Sequence, residues 1–475
     1  MDKPVDSTQL NQDSRPLFDA LKQHQKRETV SFHVPGHKNG LNWPEEDKLK
    51  QSLFLDQTEV AGLDYLHEAE TVLKESQELL ADYVSSRSSH YLVNGSTIGN
   101  LAMILGTISK AEKVIVMRNA HQSILHGLEL SEAEPLFLTP AWNDEKEDRM
   151  NVSLADLKKV FSEYSDVKAV IFTYPTYDGH IFPISELIDY CHSKGAVVLV
   201  DEAHGAHFSL GKPFPLSSLA LGADVVVQSA HKMLPAMTQS GYLHVNRRTS
   251  KKIENEVLYY LHILQSSSPS YILMHSLEYA RHFLAHYTSV DLNETLTYRD
   301  RWIKSFEAAG LRYKQSDDPL KGRIAWEGKT GQELTEILEK QGVFSERTAE
   351  ENVLLTFPLI KAGTKTSVLS INLPRSSDLQ TPEKIHEIPA YPLQTRLAMS
   401  YTKQKKTAKT SIAFQEATGM IAAQNITPYP PGIPLIFKGE KMTAQTICQI
   451  SSIAKKQQRI VGLEKGSTIL VYKRD

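Results

Sequence analysis

The stretch Ala196-Val-Val-Leu-Val-Asp-Glu-Ala-His-Gly-Ala-His207 is an apolar run that breaks abruptly into ionisable residues. Ala196–Val200 is apolar along its length rather than alternating, the pattern of a strand buried on both faces of a mostly parallel sheet. Lys113–Met117, Val167–Thr173 and Asp224–Gln228 read the same way. Helical patterns lie between them. Ser153–Phe161 opens on a capping serine, and Ile184–Cys191 repeats apolar residues at helical spacing before Gly195. This alternation predicts an α/β domain with right-handed crossovers.

Open α/β sheets bind ligands beyond the carboxyl ends of their strands. After Lys113–Met117 comes Arg118-Asn-Ala-His121; after Val167–Thr173 comes Tyr174-Pro-Thr-Tyr-Asp-Gly179; Asp201–His207 and Ser229-Ala-His-Lys232 follow the other two. Four strands ending in polar, mostly ionisable groups predict a catalytic rim. Lys232, behind Ser229 and His231, is placed to form a Schiff base, and a partly desolvated site would make its amine nucleophilic. Asp201 at a neighbouring strand end is suited to hold a pyridine nitrogen protonated, so that pyridoxal phosphate acts as an electron sink. Asn94-Gly-Ser-Thr-Ile-Gly-Asn100 opens an apolar helix and offers a phosphate turn, and His121 is a candidate to lie over the ring face.

Competing readings are weaker. Asp201, His204 and His207 lack a third ligand group at metal-binding spacing, so no metal is expected. Asp201-Glu-Ala-His204 spells a helicase box, but the one Gly-Lys-Ser/Thr string, Gly328-Lys-Thr330, lies downstream of it with a mis-spaced upstream glycine at 322. Other chemistry at Cα on the same fold, such as aminotransfer, stays open, with Arg396 and Arg459 as candidate carboxylate partners. A silent binding protein of that fold is disfavoured by the presence of both Lys232 and Asp201.

The 475 residues imply about two to four domains at roughly 150 residues each. A 41% apolar, 23% charged composition is that of a globular protein with a sizeable core. The net charge of −3 gives no global basic field, so no nucleic-acid partner is expected. Two distant cysteines, Cys191 and Cys448, make no disulfide framework. No leader-like segment or long apolar run is evident, so a cytoplasmic location without membrane association is expected. An N-terminal arm (1–55), a large domain (56–290) and a C-terminal α/β domain (291–475) are expected. In the last, Leu311–Lys314, Arg323–Trp326, Ser367–Asn372 and Thr468–Tyr472 are strand candidates. Pro428–Pro434 is too proline-rich for a helix or central strand. Lys403–Lys409 reads as a solvated face or loop.

Nine strings resemble the pyridoxal-phosphate-dependent Orn/Lys/Arg decarboxylases of the aspartate-aminotransferase fold type (fold type I). They are PGHKNG (35–40), TEVAGLDYLH (58–67), LVNGSTIGN (92–100), RNAHQS (118–123), YPTYDG (174–179), VDEAHGAHF (200–208), QSAHK (228–232), LQSSSPSYILM (264–274) and YPPGIPL (429–435). The resemblance implies Lys232 as the cofactor lysine and Asp201 as partner of the ring nitrogen. It places His204 beside the cofactor, His121 stacked on the ring, and Ser96, Thr97, Ser229 and His231 at the phosphate. It implies a homodimer or assembly of dimers with shared sites, in which Ser266 of the Ser266–Pro269 stretch approaches the phosphate held by the partner subunit. His37 and Lys38 would lie near the site mouth. The pattern begins near residue 15, as in the short form of Gram-positive bacteria, so the large assemblies of members with a flavodoxin-like N-terminal domain are not carried over. The implied reaction is decarboxylation of arginine, lysine or ornithine, arginine favoured, feeding polyamine synthesis.

Overall fold

The computed structural model describes residues 10–27, 30–143, 145–146, 148–374, 392–429, 434–455, 459–464 and 467–473. The chain forms two compact units, one of residues 1–107 with 197–292 and one of 108–196 with 293–475.

In the first unit four strands lie in the order Ser88–Leu92, Gly241–Val245, Val225–Gln228, Val197–Asp201. The last two are parallel, with Asp201 opposite Val227, and the other contacts are antiparallel. Val198, Leu199, Val200, Val225, Val226 and Val227 are completely buried, which explains their unbroken apolar runs. The helix Gly95–Leu105 crosses this sheet at very close range. A Cβ on Gly99 would sit 2.7 Å from Leu92 Cδ1 and 2.8 Å from Val227 Cγ1. One on Gly106, which caps that helix, would sit 2.5 Å from the backbone nitrogen of Val257 in the helix Lys251–Leu264. The helix Pro16–Lys26 lies in the N-terminal segment of this unit. Its first turn is held by the buried carboxylate of Glu278, which accepts from Leu17 N at 2.9 Å and Phe18 N at 2.8 Å. That places a negative charge on the donors a helix N-terminus leaves unsatisfied.

In the second unit Val167–Thr173, Lys113–Met117 and Glu134–Leu138 are parallel neighbours, and Gln394–Arg396 adds antiparallel at the edge. Ser153 starts the helix Leu154–Glu163 with a capping box closed by Asp156. A second, antiparallel sheet orders Arg312–Gln315, Lys321–Ala325, Val353–Thr356 and Arg347–Thr348. Lys409–Ala413 pairs with Thr468–Tyr472 over a core that includes Phe414, Ile450 and Val471.

One expectation is corrected. Ser367–Asn372 is irregular rather than a strand. Side chains replace a neighbouring strand there: Ser305 Oγ donates to Leu369 O, and the Gln341 amide bonds both Asn372 N and Asn372 O. Lys403, Lys405 and Lys406 are exposed on a short helix, Tyr401–Lys406, capped by Ser400, so that stretch is a solvated face. Pro428 sits in the short strand Thr427–Tyr429, which meets Arg459–Val461 in a two-stranded ribbon and so is not a central strand, and 430–433 lie outside the described residues. Among the described residues no helix is long and apolar enough to cross a membrane.

Gly106→Ala forces a methyl into the backbone of a neighbouring helix, which cannot yield as a side-chain tip can. It is expected to cost roughly 1–3 kcal/mol, the usual range for overpacking, read as a lowered midpoint in thermal unfolding.

Candidate active site

Asp201 is the last residue of its strand and is only 3% exposed. Its Oδ2 accepts from Asn100 Nδ2 at 3.0 Å and its Oδ1 from Ala203 N at 3.2 Å, which fixes the carboxylate. The adjacent parallel strand runs through Ser229 into the short helix Ala230–Met233, which carries Lys232. Lys232 Nζ lies 3.2 Å from His204 Nε2, so the third and fourth of the strand-end motifs meet in space. Lys232 is exposed in the single chain, which corrects the expectation of a partly desolvated amine. What the fold supplies instead is the neighbouring imidazole of the buried His204.

The phosphate candidates converge as well. Ser229 Oγ donates to Ser96 Oγ at 2.6 Å, in the first turn of the helix Gly95–Leu105, and Thr97 follows it on an exposed position. Gly95 adopts φ +79°, and a Cβ built there meets nothing within 4 Å, so the turn faces open space. Ser266 reaches this turn within the same chain, its N donating to Asn94 Oδ1 at 3.1 Å. His231 Nδ1 lies 3.0 Å from Ser240 O, a carbonyl that requires Nδ1 to carry the proton and leaves Nε2 basic.

In the second unit His121 caps the helix Gln122–Ser131, Nδ1 accepting from Ser123 N at 3.2 Å. The tautomer is therefore Nε2–H. Asn119 Oδ1 and Thr173 Oγ1, both at strand ends of this unit, are buried with no hydrogen-bond partner among the described residues. In the N-terminal segment His37 Nε2 meets Asp56 Oδ2 at 3.1 Å, Lys38 Nζ donates to His33 O, and Lys38 and Asn39 both lie at positive φ. Arg396 is an exposed residue of an edge strand.

Sequence reasoning missed a buried polar chain behind Asp201. Glu202 is fully buried and accepts from Ser217 Oγ at 2.8 Å, Ser218 N at 2.6 Å, Ser218 Oγ and Gln228 Nε2 at 2.7 Å. Gln228 Oε1 bonds His244 Nε2 at 3.1 Å, and His244 Nδ1 bonds Ser89 Oγ at 2.8 Å. With Gln228 donating to Glu202, its carbonyl must accept from His244, so every proton in the chain points toward Glu202. Burial pushes the Glu202 carboxyl up to about 7 against its four donors. Burial also pushes His244 down to about 3 and His90 down to about 4. A lone glutamate after a strand gives no sign in sequence of such a network.

The sequence profile of the Orn/Lys/Arg decarboxylase major domain matches residues 15–306, and that of the family's C-terminal domain matches residues 381–465. The chain belongs to the Orn/Lys/Arg decarboxylase family. It is an enzyme, a basic amino acid decarboxylase, as the resemblance implied. It is 38% identical to the uncharacterized protein YaaO of Bacillus subtilis over 96% of this chain and 98% of that protein. It is 30% identical to the arginine decarboxylase of the same organism, over 93% of this chain and 94% of that one. The solved lysine decarboxylase A of Pseudomonas aeruginosa shares the fold, with a TM-score of 0.79 at 19% identity over 97% of this chain and 81% of that one. The architecture is thus the α/β fold of fold type I enzymes.

The family implies pyridoxal phosphate, and the residues fit it. A lysine amine, a fixed buried carboxylate and a hydroxyl-lined helix start with open space at Gly95 stand in one unit.

The buried histidines set a pH response. An unfolded chain protonates His90 and His244 near 6.5, while the native chain refuses those protons down to about 4 and 3. Their stabilising contribution is complete above 6.5 and is lost at about 1.4 kcal/mol per pH unit each as pH falls. Glu202, raised from 4.5 to about 7, has the opposite sign and offsets one of them between those values. The net expectation is a falling unfolding midpoint from pH 6.5 to 4.5, with a shallower slope in His244→Gln, measured by thermal denaturation across that range.

Proposed function

We propose that this decarboxylase uses pyridoxal phosphate to convert a basic L-amino acid, arginine before lysine or ornithine, to the corresponding amine and CO2, and so feeds polyamine synthesis. The observation that carries the reading is the meeting of Lys232 Nζ with His204 Nε2 beside the fixed carboxylate of Asp201. The preference for arginine rests on the Bacillus relatives named arginine decarboxylase.

Lys232 would hold the cofactor covalently and Asp201 would face its ring nitrogen. Ser96, Thr97, Ser229 and His231 would serve the phosphate, and His121 the ring face. Ser266 would serve the phosphate held by the partner subunit, so the working form is a homodimer or an assembly of dimers. When bound, the cofactor supplies a conjugated sink for the electron pair left at Cα as CO2 departs. The protein supplies orientation and charge. Asn100 and Ala203 N keep Asp201 in one rotamer, so its negative charge is in place before substrate arrives. His204 stands where it can take or return a proton at Lys232 Nζ. Either that amine or His231, once its Nε2 has taken up a proton, would protonate Cα. The location is the cytoplasm.

Lys232→Ala is expected to lose both the visible absorbance of the bound cofactor and CO2 release. Steady turnover in that variant removes the assignment. Asp201→Ala is expected to bind the cofactor yet turn over slower by about a hundredfold or more, as when a preorganised charge is removed. Incubation with arginine, lysine and ornithine, with the amine product identified, settles the substrate. A keto acid in place of CO2 and amine points to aminotransfer.

A further inference from the structure

Arg118 follows the strand Lys113–Met117 and is three residues from His121. It is 3% exposed, yet the proposed chemistry gives it no role. Its guanidinium is gripped from a distant part of the chain. Nη1 and Nη2 each bond a Glu440 carboxylate oxygen at 2.8 Å, Nη1 also donates to Thr395 Oγ1 at 2.7 Å, and Nη2 to Leu435 O at 2.9 Å. The Phe437 ring lies 4.5 Å from its Cζ and stacks on Phe137 with centroids 4.2 Å apart. Glu440 is itself 4% exposed and accepts further from Thr395 Oγ1 and from Phe437 N at 2.8 Å. Leu435 closes the YPPGIPL string, whose presence nothing else in the site explains.

A fork-to-fork pair fixes two planes as well as a distance. In the backbone, Arg118 N donates to Leu138 O at 2.7 Å and Ala120 N to Met117 O at 3.0 Å. The turn leaving the strand is thus tied at its side chain and its main chain before it delivers His121 as the cap of Gln122–Ser131. A well-packed apolar pair would stabilise the same place at least as well, since burying two charges is costly. What an apolar pair lacks is directional hold on the turn.

We propose that Glu440 and Arg118 are positioning residues that set the place of His121, so that the C-terminal 435–440 segment governs how the imidazole meets the cofactor ring. This rests on the reading of His121 as the ring-facing residue. The test uses the full chain loaded with pyridoxal phosphate, comparing wild type, Glu440→Gln, the double variant Arg118→Met with Glu440→Leu, and His121→Asn. Hydrogen exchange is read by mass spectrometry, and cofactor affinity and spectrum are read by titration. In Glu440→Gln, peptides over 118–124 are expected to exchange about tenfold faster while those over Val167–Thr173 hold, the scale of one weakened charged contact. Cofactor affinity should fall by about the same factor, with a shifted visible band. Should Glu440→Gln fail to fold, the double variant, with its charges removed as a pair, is expected to fold and to show the same local loosening. Wild-type exchange at 118–124 in either folded variant, or loosening spread evenly through the unit with cofactor affinity and spectrum unchanged, overturns the proposal. His121→Asn keeps a helix cap and tests the underlying reading alone. If it leaves affinity and spectrum intact, His121 does not face the ring, and the exchange data still decide whether Glu440 sets the turn.

Discussion

Two parallel strands buried on both faces, Val197–Asp201 and Val225–Gln228, are the constraint on which the first unit depends. Their side chains have no exposed face to spend on function, so chemistry begins only where they end. Because they are parallel and Asp201 sits opposite Val227, both chains leave the sheet on the same edge. A carboxylate at one exit and a lysine five residues past Val227 at the other therefore share one neighbourhood. An antiparallel pairing of the same two sequences would send them to opposite edges.

That neighbourhood has unequal surroundings. Asp201 is buried and tied to two donors, whereas Lys232 is exposed in the single chain and its amine meets the imidazole of the buried His204. Behind the acid, the Glu202–Gln228–His244–Ser89 chain spans three neighbouring strands and their flanks in one direction of donation. It holds buried polar groups in a sheet that otherwise packs aliphatic side chains, and with His90 its His244 adds to the acid sensitivity of the fold.

The second unit repeats the theme with a different clamp. Its parallel strands also end in polar residues, but the turn after Lys113–Met117 is held by a guanidinium–carboxylate pair separated by 322 positions in sequence. Local sequence around Arg118 reads as a loop, and local sequence around Glu440 reads as a turn. Neither shows that a salt bridge joins them, because that depends on how the 394–440 segment returns to the sheet edge.

Much was legible in the linear chain. Strands buried on both faces betray themselves as unbroken Val and Ile runs, and Lys113–Met117 and Val167–Thr173 fall where those runs lie. Strands carrying polar residues, Ser88–Leu92 and Gly241–Val245, did not, because their Ser and His side chains are satisfied by partners far away in sequence. Ser367–Asn372 carried a strand-like pattern that helix side chains answered instead.

The sequence by itself determined the family and the reaction class, and it offered Lys232 and Asp201 as the candidate cofactor lysine and acid, since each is written in a few contiguous residues whose chemistry has few other uses. Only the tertiary structure decided that Lys232 touches His204, that Asn100 steadies Asp201, that the buried Glu202 accepts from two serines and a glutamine, and that Glu440 grips Arg118. These are pairings between groups that diffuse independently in an unfolded chain. Which of them meet is set by the packing of whole elements, a property that no short stretch of residues contains.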